Sequence, residues 1–196
     1  MSPGPAKSFD PDLALAQARD LFWRRGYDGT AISDLEAELG IGRKSLYDTF
    51  GGKRALFLRA LEQYTDTVID KICAGLDDER SAPLKNLERV LGKLRDHHGS
   101  PDSVGCLLGV AMAQSGTHDA ELSELLRSYL LRLERAFERA LRAGQADGTV
   151  DPGANAKDAA RHLVALTQGM ALLGRVDDDP TRPRSIVRDA LRALRA

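Results

Sequence analysis

Apolar positions recur at three- and four-residue spacing along most of the chain, the pattern of helices with one buried face. Ala14, Ala18, Leu21 and Phe22 form the first stripe. It opens at Asp10-Pro11, where proline suits a first helical turn, and Gly26 closes it. Ile32, Leu35 and Leu39 make a second, short stripe, and Leu46 with Phe50 a third. Leu56, Phe57, Ala60, Leu61, Tyr64, Val68 and Ile72 predict one longer helix from Lys53 to about Cys73. Trp23 is expected as a packing or edge residue.

Beyond the Gly- and Pro-bearing stretch from Ala74 to Pro83, Leu84, Leu87, Leu91 and Leu94 predict an amphipathic helix ending near His97. Gly99 to Ser103 breaks the pattern, and Cys106 to Gln114 is short and apolar throughout, as a buried helix would be. Leu122, Leu126, Tyr129, Leu133, Phe137 and Leu141 share one face of a long helix. Arg127, Arg132, Glu134, Arg135 and Glu138 form its wet side. Asn155, with Asp158 three residues on, caps a helix running to about Leu173. It carries Ala159, Ala160, Leu163, Leu166, Gly169 and Met170. After the Asp- and Pro-rich stretch at 177–183, Ile186, Val187, Ala190, Leu191 and Leu194 predict a final amphipathic helix. The expected fold is all-α, with about nine helices.

The stretch from Gly26 to Arg54 carries the most chemistry. Two short helices meet at Leu39-Gly40-Ile41, where Gly40 admits a positive φ that side chains resist. Thr30 is expected to cap the first helix by accepting a backbone N–H. Burying Leu46 and Phe50 turns Arg43, Lys44, Ser45, Tyr47 and Thr49 outward. Those types suit duplex DNA: Arg and Lys donate to guanine O6 and N7, and hydroxyls reach phosphate or base. A recognition helix reads base edges with its N-terminal residues. The following helix start, at Gly52 and Lys53, points N–H groups at an anion. These features together make a helix-turn-helix, with double-stranded DNA as the partner.

At this point the stretch resembles the tetracycline-repressor (TetR) family of bacterial transcription regulators. The matching residues are Ala18, Leu21, Phe22, Gly26, Tyr27, Thr30, Ile32, Leu35, Gly40, Ile41, Ser45, Leu46, Tyr47, Phe50, Lys53 and Leu56. Elsewhere the likeness rests on helical layout and the GCLL run from Gly105 to Leu108. The opening residues 1–9 read by themselves as a short disordered arm, and the resemblance implies a three-helix helix-turn-helix domain over 10–55. An effector-binding and dimerisation domain over 56–196 would follow. It places Arg43, Lys44 and Ser45 against bases, and Tyr47, Thr49 and Lys53 against the DNA backbone. Thr30 and Ser33, at the preceding helix, are further DNA-contact candidates.

Four positions depart from the family's pattern. Ala31 replaces a common Ser or Thr, and Glu36 and Leu39 replace small residues. Asp48 falls near phosphates, where it either accepts from cytosine N4 or faces solvent.

Charge sharpens the DNA expectation. Lys and Arg total 28 against 29 Asp and Glu, a net charge of −1. Yet from Arg43 to Arg59 five cations face Asp48 alone, a local balance of +4. A near-neutral chain with one basic patch fits docking at a defined site rather than nonspecific coating.

Composition closes off other classes. The chain is 42% hydrophobic but 5% aromatic, a mix that favours helix. No apolar run reaches membrane-span length, and the opening residues MSPGPAKSF lack a signal-peptide core, so a soluble cytoplasmic protein is expected. Cys73, Cys106 and the histidines His97, His98, His118 and His162 show no ligand spacing, so neither metal nor cofactor is expected. No nucleophile–base pairing or phosphate loop supports an enzyme or a helical carrier, which stands as the alternative class. A constitutive DNA binder without an effector is a third.

The last two helices hold more apolar surface than one small domain readily hides, so pairing of two copies into a four-helix bundle is expected. Leu163, Met170, Ile186, Val187, Ala190, Leu191 and Leu194 are the candidate homodimer interface. Two-fold symmetry would then set recognition helices on the order of 34–36 Å or more apart, on a near-palindromic operator. If the family's plan holds, Cys106, Val110, Gln114, Tyr129, His162, Leu166 and Met170 are candidates to line a small-molecule effector pocket. Effector binding would release the DNA of a repressor. Cys106 stands open between two roles, a small buried hydrophobe and a thiol sensing electrophiles from a helix start.

Overall fold

A computed structural model describes residues 9–114, 119–177 and 179–196. The expected arm over 1–9 lies outside the described residues, apart from Phe9, as does His118. The chain divides into two compact units, at Tyr64 and Thr65.

The first unit holds α1 (Pro11–Arg25), α2 (Ile32–Leu39), α3 (Arg43–Phe50) and α4 (Lys53–Tyr64). Asp10 caps α1 as its composition suggests, its carboxylate accepting from the N–H groups of Asp12 and Leu13 at 2.9 and 3.4 Å. The predicted stripes are buried: Ala18, Phe22, Leu35, Leu46 and Leu56 all lose essentially all solvent contact. At the centre, the Phe57 ring meets Phe22 edge-on and Tyr27 tilted, both with centroids 5.0 Å apart. Trp23 packs edge-on against Tyr64 at 4.9 Å, the packing role expected of it. Since Leu56, Phe57, Ala60, Leu61 and Tyr64 are buried along α4, the whole of that helix belongs to the first unit. This division lies nine residues beyond the boundary expected at residue 55.

Thr30 corrects a second expectation. Its side chain is fully buried, and its hydroxyl donates to the Gly26 carbonyl at 2.7 Å. The N-cap of α2 is Ala31, whose side chain caps nothing. Instead Asp34 reaches back, its carboxylate accepting the Ala31 N–H at 2.8 Å.

The second unit opens with a π-helical turn, Thr65–Ile69, followed by α5 (Asp70–Leu76), α6 (Pro83–His98), α7 (Leu107–Gln114), α8 (Ala120–Ala146), α9 (Ala156–Leu173) and α10 (Thr181–Leu194). Counting α4, the π turn and α5 as one continuous run gives nine helices among the described residues, in line with the number expected. The π turn changes which residues are buried. The extra residue in that turn shifts the helical phase, so Thr65, Ile69 and Leu76 are buried while Val68 and Ile72 are only half-buried.

In α8 the pattern holds without correction: Leu122, Leu126, Tyr129, Leu133, Phe137 and Leu141 are all buried. That stripe packs on α6 and α9. Asn86, buried in α6, donates through Nδ2 to the carbonyls of Leu76 and Asp78 at 3.3 and 2.7 Å, which fixes the α5–α6 connection. Asn155 caps α9 by accepting from Lys157 and Asp158 at 3.1 and 3.2 Å. Val150 and Arg195 form an isolated antiparallel bridge that no sequence pattern announced.

Candidate nucleic-acid interface and ligand cavities

Gly40 ends α2 at φ 63° and ψ 27°, the left-handed conformation expected of it. Ile41 then returns to the core. With Leu46 and Phe50 buried beneath it, α3 turns Arg43, Lys44, Ser45, Tyr47 and Asp48 to solvent, and Thr49 is half-buried. Ser33, on α2, is exposed as well.

Electrostatics favour an anion at this face. Two of the three carboxylates of α2 are held by α1: Arg24 pairs with Glu38 at 2.9 Å and Arg25 with Asp34 at 3.1 Å. Arg43 and Lys44 have no ion-pair partner among the described residues. Their charge is left for a partner outside the chain, and it sits on the first turn of a helix whose free N–H groups also favour anions.

Tyr47 and Lys53 are braced. The Tyr47 ring lies over Gly52, where φ is 107° and an added Cβ would sit 3.1 Å from Tyr47 Cε1. Only glycine fits there without strain or displacement of the ring. Lys53 places its ammonium over the Tyr27 ring, and Arg59 stacks on Phe50 while donating to the Thr49 carbonyl at 3.5 Å. Thr30, being buried, presents no surface here. Its sequence gave no sign of this, because a threonine before a short helix fits a cap as well as an internal tie.

The residues expected to line one effector pocket are not brought together. Cys106 and Val110 share a groove of about 370 Å³ between α7 and α9 with Gly109, Met112, Gln168 and Leu172. Gln168 is the polar residue that sequence reasoning missed: its Oε1 is buried without a hydrogen-bond partner. Tyr129 instead lines a separate cleft between α5 and α8, and Met170 packs beside His98 under α10. Gln114 and His162 are exposed and Leu166 half-buried, lining none of these spaces. The expectation took residues from opposite faces of α9: Met170 faces the core, His162 the solvent.

The candidate dimer residues divide likewise. Leu163, Met170, Val187 and Leu194 are buried within a single copy, so they have little area to offer a second one. Ile186, Ala190 and Leu191 are half-buried. Exposed apolar side chains cluster at the end of α9 and just beyond, where Leu172 is 58%, Leu173 41% and Val176 86% exposed.

Two short helices joined by a left-handed glycine, the second basic and solvent-facing, define a helix-turn-helix module, an element built to enter a duplex groove. Residues 14–60 match the model of bacterial regulatory proteins of the tetR family, and residues 83–190 match that of the tetracyclin repressor-like C-terminal domain. The chain belongs to the tetR family of bacterial regulatory proteins.

The chain is 29% identical over 175 residues to the HTH-type transcriptional repressor ComR of Escherichia coli (strain K12), covering 89% of this chain and 83% of that protein. It is 29% identical over 195 residues to the HTH-type transcriptional regulator YezE of Bacillus subtilis (strain 168), covering 97% and 99%. A cysteine mutant of the TetR-family regulator CifR, solved with 26-base-pair operator DNA, superposes with a TM-score of 0.85 at 27% identity, over 97% of this chain and 100% of that one.

Proposed function

We propose that this protein is a cytoplasmic, homodimeric transcriptional repressor that holds a near-palindromic operator and releases it when a small molecule binds its second unit. The observation that carries the DNA half is the uncompensated pair Arg43 and Lys44 on the first solvent-facing turn of α3. Arg43, Lys44 and Ser45 read bases, while Tyr47, Thr49, Lys53 and Ser33 meet the sugar-phosphate backbone. The ComR relative, a transcriptional repressor by name, and the CifR complex with operator DNA support the reading of a DNA-binding repressor.

The α7–α9 groove suits the effector half. Its wall is mostly apolar, with one buried acceptor, Gln168 Oε1, to orient a ligand that donates a hydrogen bond. A ligand favouring one helix arrangement over another shifts DNA affinity by coupling, typically about 1–3 kcal/mol. In the α9 end, Leu172, Leu173 and Val176 supply the apolar contact between copies.

The test is fluorescence anisotropy of the purified protein on labelled fragments from upstream of its own gene and of neighbouring genes. Saturable binding of two copies to one fragment, outcompeted poorly by unrelated DNA, is expected. Equal affinity for every fragment would leave a nonspecific binder and end the operator reading.

A further inference from the structure

On α5 and the residue after it, Asp70, Cys73 and Asp77 follow one another at i, i+3 and i+7, so they lie along one helical stripe. On α8, Arg132, Arg135 and Arg139 repeat the same spacing. The two stripes face each other in register. Arg132 pairs with Asp70, and Arg139 grips Asp77 through both Nη2 and Nε, at 2.6 and 3.2 Å. Arg135 stands between them and has no ion-pair partner among the described residues. Along the α5 stripe, between the two paired carboxylates, where a third would complete the ladder, the sequence has Cys73. Arg135, Cys73 and Tyr129 border a solvent-open cleft of about 560 Å³.

A bare guanidinium three and four residues from two others is a repulsive arrangement on a helix. Cys73 does not relieve it. Burial holds its thiol above the ordinary cysteine range, against the opposing pull of Arg132, so it stays protonated and neutral. Glu138, on the same helix, is engaged with Arg142 at 2.7 Å. What relieves the repulsion is an anion, and the planar guanidinium fork matches a carboxylate in two-point contact.

We propose that the incomplete middle rung of this ladder is a binding site for a small organic acid, whose carboxylate Arg135 receives between the two existing ion pairs while its organic body fills the cleft beside Tyr129. This goes beyond the operator-binding function, and it stands or falls without DNA.

The test uses the full chain, isotope-labelled, with backbone amide shifts of residues 128–139 followed by NMR. Sodium propionate, sodium benzoate and the uncharged methyl benzoate are each added to millimolar concentration. Both carboxylates are expected to shift these amides and methyl benzoate to leave them in place. Arg135→Ala should weaken carboxylate binding by at least about tenfold. Cys73→Glu, which supplies the third carboxylate from within, should abolish binding and raise the melting temperature. Should Cys73→Glu fail to fold, Arg135→Ala still decides, because Arg135 is exposed and makes no hydrogen bond or ion pair among the described residues. No shift with either carboxylate, equal shifts with methyl benzoate, or unchanged affinity in Arg135→Ala would each overturn the proposal.

Discussion

The Lys53 ammonium stands 4.1 Å from the centroid of the Tyr27 ring, so the cation at the start of α4 is anchored to the aromatic core of its own unit. A lysine fixed this way presents its charge at a defined place instead of sweeping through solvent. As a phosphate contact it would carry no base information. Lys53→Ala should therefore weaken DNA binding by a similar factor on operator and on unrelated duplex. The slope of log affinity against log salt should fall by about 0.9. Anisotropy titrations at several salt concentrations check both.

Arg43 and Lys44 should behave differently, because they sit on the first solvent-facing turn of α3, the part with which a recognition helix reads base edges. Arg43→Ala and Lys44→Ala should each cost about 1–3 kcal/mol on the preferred operator and little on scrambled DNA. Equal losses on both duplexes would mean that these residues hold phosphates instead.

Gly40 carries the bend between α2 and α3 at φ 63°, with open space where a Cβ would go. Conformation alone therefore sets the cost of replacing it. Gly40→Ala should destabilise the protein by about 1–2 kcal/mol, and Gly40→Asn by less, since asparagine tolerates the left-handed region. Thermal denaturation of the two variants side by side gives the order.

His98 is 5% exposed, and its Nδ1 is buried without a partner. Burial, aided by the nearby charge of His97, lowers its pKa to about 4. The unfolded chain takes up the proton near pH 6.5, well before the folded one does. Its contribution is thus fully present above that value and is lost as pH falls toward about 4. Urea unfolding should show about 2 kcal/mol less stability near pH 5 than near pH 7 from this group, and His98→Gln should remove most of that dependence.

Leu172, Leu173 and Val176 test the pairing of copies. A Leu172→Glu, Val176→Glu double variant should run as a monomer by light scattering while keeping its helical circular dichroism. Since two half-sites need two recognition helices, operator affinity should collapse with it.

How far the sequence disclosed this follows from the kind of signal involved. Helical stripes such as Leu122 to Leu141 were legible because burial on one face repeats over many turns and leaves no competing period. The Gly40 turn was legible because few residues but glycine accept its backbone. Thr30 was misread because its hydroxyl can donate or accept, and only the folded turn shows which. The π turn at Thr65–Ile69 was invisible for a related reason: one extra residue shifts the buried stripe, while either phase offers enough apolar side chains. Pocket residues scattered most. Lining a cavity depends on which faces of three or four helices converge, and that is a property of the packing rather than of any single stripe.

Tyr47 is 47% exposed, yet its ring already rests on the backbone of Gly52. Most side chains of that size lose rotational freedom only on meeting a partner and weaken the association accordingly. Here folding has already imposed that restriction, so the phenol arrives as a stiff strut. Affinity at this position should respond more to the glycine two residues beyond α3 than to conservative changes in the ring itself.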